Sequence, residues 1–113
     1  MNIISVLQVM AAILTMLTGL LALVKPSSVY GFTGLSSTSV RGVSEIRSIF
    51  GGLFIALGLA PLFLGSTAFF MLGLCYIAIA IVRLFSIIFE KSTERSNLIS
   101  LGIEIVLGFI LIL

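Results

Sequence analysis

Six side chains stand inside or at the edge of apolar stretches and could hold a proton, a charge or an anionic guest: Glu45, Arg47, Cys75, Tyr76, Arg83 and Glu104. With no His and a single Cys, a metal or haem site is not expected. The two Glu and two Arg sum to zero formal charge. Each charge near the middle of a membrane helix costs about 2.5–3.5 kcal/mol, so pairing is favoured over separate exposure to lipid. Arg83 shares a helical stripe with Gly73, Tyr76 and Ala80, and Glu104 shares one with Ser100 and Gly108. Arg47 aligns with Gly51 and Gly58, whereas Glu45 lies about 200° around the helix from it, in line with Ser48, Gly52 and Ala56. These spacings predict that Arg47 and Arg83 converge on Glu104. Glu45 is then nearer the interface, favoured by the positive end of the helix dipole and within reach of Arg41 or Arg83. Two readings of the cluster stay open: it pins helix register, or with Tyr76 it lines a pocket for a headgroup, a small ligand or a proton.

The elements that position these residues follow from hydropathy. Of 113 residues, 60% are hydrophobic and 9% charged, a composition suited to lipid and not to water. The expected fold class is all-α: a single integral membrane domain, a four-transmembrane-helix bundle running up-down-up-down, with spans at 3–24, 43–64, 68–89 and 97–113. The first apolar run lacks a basic leader and exceeds the 7–15 residues of a signal-peptide core, so it reads as a span. Its less apolar positions Ser5, Gln8, Ala12, Thr15, Gly19 and Ala22 form one stripe that should face other helices. Residues 25–42, rich in Ser, Thr and Gly, form the longest loop, with Tyr30 and Phe32 suited to the membrane interface. Pro61 should kink or end the regular part of the second span. Residues 65–67 allow only a tight antiparallel turn, and 90–96 is the one strongly polar stretch. By a rise of ~1.5 Å per residue, Arg47 lies ~6 Å and Arg83 and Glu104 ~10 Å inside their spans. Lys25, Arg41, Lys91 and Arg95 flank one side and no basic residue flanks the other. Loops 25–42 and 90–96 should therefore be cytoplasmic and both termini outside.

Gly51, Gly52, Gly58, Gly73 and Gly108 read as helix-packing positions, Gly52 and Ala56 forming a small-xxx-small element. Cys75 reads as a buried apolar residue, and the phenylalanines as packing or lipid-facing groups. A net charge of +2 without a basic stripe excludes DNA and RNA partners.

Three elements together carry a resemblance: E-x-R-x-x-F-G-G-L-x-x-x-L-G at 45–58, R-L-x-S at 83–86 and E-x-x-x-G at 104–108. Their order and spacing resemble a bacterial family of small four-helix membrane proteins known only as a domain of unknown function. The resemblance implies a fold and a set of central residues but no reaction. In similar proteins the segment after the third span often holds an acidic residue and a glycine, where this chain has Glu90-Lys91-Ser92. A more distant likeness to DoxX-type proteins is one of architecture alone.

Beyond the lipid bilayer itself, the first functional expectation is an accessory subunit, packed with other membrane proteins or with itself, in a bacterial inner membrane or its equivalent. Bound lipid or pigment is compatible with that role, and no other cofactor is expected. The alternative is a lipid- or small-molecule-binding protein, or a transporter, with a polar pocket at Arg47, Tyr76, Arg83 and Glu104. Cation export of the small multidrug type ranks low, because the first span contains no acid. Enzymatic activity is not expected, because without His nothing places a nucleophile beside a base.

Overall fold

A computed structural model describes residues 2–113. Four helices are long and apolar enough to cross a membrane: α1 (Ile3–Val24), α2 (Val40–Leu64), α3 (Ser66–Phe89) and α4 (Arg95–Ile112). The described residues contain no strand.

Local chemistry sets the helix ends. The Ser5 N–H donates to Asn2 Oδ1 at 2.8 Å and opens α1, satisfying one of the backbone donors orphaned at a helix start. Lys25 ends α1, because Pro26 cannot continue an α-helical ladder. The loop that follows is more ordered than its composition suggests. It holds a 3₁₀ turn, Pro26–Val29, and one α-turn, Tyr30–Thr33, which stops at Gly34 with φ +76°. The Tyr30 hydroxyl donates to Ser37 O at 3.1 Å, and Ser39 Oγ caps the Gly42 N–H at 3.0 Å. That cap starts α2 at Val40, a turn earlier than hydropathy indicates.

Helix α2 departs from the expectation in two ways. Its segment Ile46–Leu53 is π-helical, with α-helix on either side, a rare geometry that tends to mark functional positions. Pro61 does not end the helix, which continues to Leu64. Without an N–H, Pro61 leaves one carbonyl a turn earlier unbonded, which helices packed in a membrane protein tolerate, and here the ring is fully buried. The stop comes at Gly65, whose φ of +80° reverses the chain directly into α3.

The helices alternate in direction and pack most closely as two pairs. Between α1 and α2, a Cβ added to Gly58 would lie 2.5 Å from Ala12 O, and one added to Gly19 would lie 2.8 Å from Gly51 O. Only glycine permits that approach. Between α3 and α4, a Cβ on Gly73 would lie 2.9 Å from Leu111 Cβ and one on Gly108 would lie 2.5 Å from Ile77 Cδ1. Ala11 and Ala12 of α1 meet Leu72 of α3 and Leu111 of α4 where the pairs join, with Leu57 of α2 packed beside them. The body is flattened, with Cα extents of 44 × 32 × 17 Å.

Lys91, after α3, takes φ +58° and is the described non-glycine residue with left-handed backbone. This conformation costs an L-residue about 1–2 kcal/mol. Lys91→Gly is therefore expected to stabilise the fold by roughly 0.5–1 kcal/mol after the greater entropy of unfolded glycine is subtracted. A thermal melt in detergent followed by circular dichroism should show a higher midpoint, and a lower one refutes the assignment.

Candidate functional site

The end of α1, the start of α2, the end of α3 and the start of α4 share one end of the molecule, and all six Lys and Arg residues fall toward it. The polar network begins with Arg83, six residues before the end of α3, and Glu104 midway along α4. Arg83 Nε donates to Glu104 Oε1 at 2.7 Å and Nη2 donates to Oε2 at 2.7 Å. This is the bidentate fork that suits guanidinium and carboxylate geometry. Glu104 is 8% exposed, so the fork neutralises a charge removed from solvent.

Asn97 extends the network toward the end of the bundle. Its Oδ1 accepts from Arg83 Nη1 at 2.7 Å, and its Nδ2 donates to Ser92 O at 2.8 Å and Ser92 Oγ at 3.1 Å. The amide thus links α3, the turn after it and the first turn of α4. Glu94, which precedes α4, lies outside the span. Its own backbone N–H, and next the Ser92 hydroxyl at 2.9 Å, hold its carboxyl below the usual carboxylate range. An open groove of about 520 Å³ runs past Arg83, Ser86, Ser92 and Asn97.

Tyr76 makes a separate contact. The Thr15 hydroxyl donates to Ala11 O at 2.9 Å, so in the 2.5 Å Tyr76–Thr15 contact the phenol is the donor. That bond ties α3 to α1. At the uncharged end Gln8 Nε2 donates to Ile110 O at 3.0 Å and ties α1 to α4. No buried side-chain nitrogen or oxygen among the described residues lacks a partner.

Two expectations need correction, and one left open is decided. Arg47 does not converge on Glu104: it is exposed and lines a different groove, on α2 beside Leu23 of α1. The second pair, α3 and α4, supplies both members of the fork, and α2 packs on α1 through its glycine face. Of the two partners open to Glu45, the structure selects Arg41, one turn earlier on the same helix, and both are exposed. Gly52 is not a packing glycine, because a Cβ there would meet nothing within 4 Å, whereas Gly51 and Gly58 face α1. Ala56 is also exposed, so the contact face of α2 is the Gly51–Gly58 line.

Sequence reasoning missed Asn97, Gln8 and Thr15 as polar links. A signal for Asn97 was available: it precedes Glu104 by seven residues, two helical turns, which puts both on one face of α4. Gln8 and Thr15 lay on the predicted stripe of α1 without an assigned partner.

No curated protein and no solved structure matches the chain. Residues 3–113, which include all four apolar helices, match the family model DUF4345, described as a domain of unknown function, and the chain belongs to that family.

Proposed function

We propose that this protein is a small, non-enzymatic accessory subunit that packs against larger proteins of a bacterial inner membrane or its equivalent. The observation that carries this reading is the division of labour between its inside and outside. The buried polar groups satisfy one another, while large apolar side chains are displayed on every helix: Leu14 is 51% exposed, Phe63 79%, Val82 68% and Phe109 57%. A flattened body with such surfaces has broad faces to offer a neighbour. Catalysis finds little support, since both Glu104 oxygens are held by Arg83 and the Tyr76 phenol donates to Thr15. The clustering of every Lys and Arg toward one end favours a cytoplasmic position for the loops 25–42 and 90–96, with both termini outside.

The alternative of one ligand or transport pocket shared by Arg47, Tyr76, Arg83 and Glu104 is less well supported, because Arg47 lines a groove of its own and the Tyr76 phenol is committed to Thr15. The subunit reading is tested by native electrophoresis from mild detergent at native expression level. Migration with a much larger assembly is expected, and a free monomer or dimer would sink the proposal.

A further inference from the structure

We infer that the groove on the first half of α2 binds the phosphate of an anionic phospholipid, with an acyl chain running along the Gly52 side of the helix. This stands independently of the subunit role.

The groove is an open one of about 620 Å³, and Arg47 is the charged residue that lines it. No ion pair or hydrogen bond joins Arg47 to any described residue. The neighbouring acid, Glu45, is engaged by Arg41, and the other guanidinium set well inside a span, Arg83, is matched by Glu104. Arg47 lies four residues, ~6 Å, past Val43, where the apolar part of α2 begins, and there an uncompensated cation favours an anionic partner. Guanidinium presents forked donors that fit phosphate oxygens. Ser44 and Ser48 line the same groove one turn apart, and neither hydroxyl is committed to a described partner, so both can donate to the same headgroup.

Polarity along the groove separates a lipid from a free ion. Thr38, Ser39 and Val43 line the loop side of Arg47; on its other side, past Ser48, the lining turns to Gly52 and Leu23, and the space over Gly52 is open to at least 4 Å. A phosphate ion would use the first part only, whereas a phospholipid uses both. The π-helical segment Ile46–Leu53 carries Arg47, Ser48 and Gly52, so the rare geometry lies directly beneath the groove.

The test uses the full chain in uncharged detergent, melted with phosphatidylglycerol, with phosphatidylcholine of the same chains, or with inorganic phosphate. Phosphatidylglycerol should raise the midpoint by ~4 °C or more, with little effect from the other two. Arg47→Gln should lower the phosphatidylglycerol affinity at least ~10-fold, and Arg41→Gln should leave it unchanged. A Cβ on Gly52 meets nothing within 4 Å and a Leu there extends into the trough, so Gly52→Leu should not lower the lipid-free melt while losing the phosphatidylglycerol response. A full response in Arg47→Gln, an equal response to phosphatidylcholine, or an equal response to inorganic phosphate overturns the assignment. Should Arg47→Gln fail to fold, Gly52→Leu decides: a retained response rejects the site.

Discussion

Glu104→Met alone should destabilise the protein by about 3–5 kcal/mol, while Arg83→Leu combined with Glu104→Met should return it to within about 1–2 kcal/mol of the parent. The asymmetry comes from desolvation. In the single variant Arg83 keeps only Asn97 Oδ1 as an acceptor, and its charge stays among apolar helices without a counter-ion. Removing both partners removes the charge as well, and two apolar side chains of similar length can fill the space between α3 and α4. Partial exposure of the Arg83 side chain, 29%, lets it turn toward the membrane surface and places the single-variant loss toward the lower figure. Thermal melts of the four proteins in one detergent close the cycle. A double variant as unstable as the single one would show that the fork does more than balance charge, and would reopen a functional role for it.

The second large effect is expected at Gly58. A Cβ there would sit 2.5 Å from Ala12 O and 2.7 Å from Met16 N, both backbone atoms of α1. No rotamer change relieves such contacts, so the helices must separate. Gly58→Ala should cost about 1–3 kcal/mol and Gly58→Leu more. Gly52→Ala makes the contrast, since its Cβ meets nothing and helix propensity alone predicts a gain of about 0.5–1 kcal/mol. Melting midpoints that fall for Gly58→Ala and rise for Gly52→Ala would separate the two glycine environments. Equal changes would contradict the packing of α2 on α1.

That contrast shows where sequence reasoning stops. The buried face of α1 was legible, because the small residues Ala12, Thr15, Gly19 and Ala22 recur at three and four, and all four are buried, with Ala11 beside them. The link between Arg83 and Glu104 was legible too, from the cost of leaving either charge alone in lipid. Arg47 was misplaced because depth along a helix can be counted from sequence, whereas the direction in which a helix faces its neighbours cannot. Adjacent Gly51 and Gly52 point about 100° apart, and nothing in their identity says which one meets α1. The π-helical segment compounds this. Its i→i+5 bonding shifts the angular relation between Arg47 and Gly58 away from the α-helical value on which the convergence with Glu104 rested. Asn97 was hidden for a different reason: at the boundary of a hydropathy window it reads as the polar end of a span and not as a ligand of Arg83.

The flattened shape has a consequence for how this sequence can drift. A body only 17 Å through at its thinnest has much boundary and little interior, so most substitutions fall on its outside, where, away from any face packed on a partner protein, the neighbours are acyl chains, which conform to any outline. At such positions polarity is constrained and shape is not. Leu, Ile, Val, Met and Phe should interchange freely there, while a small set of residues, the glycine lines and the Arg83–Glu104 fork among them, holds the fold. Homologous chains can then share little literal identity outside those positions and still form the same structure.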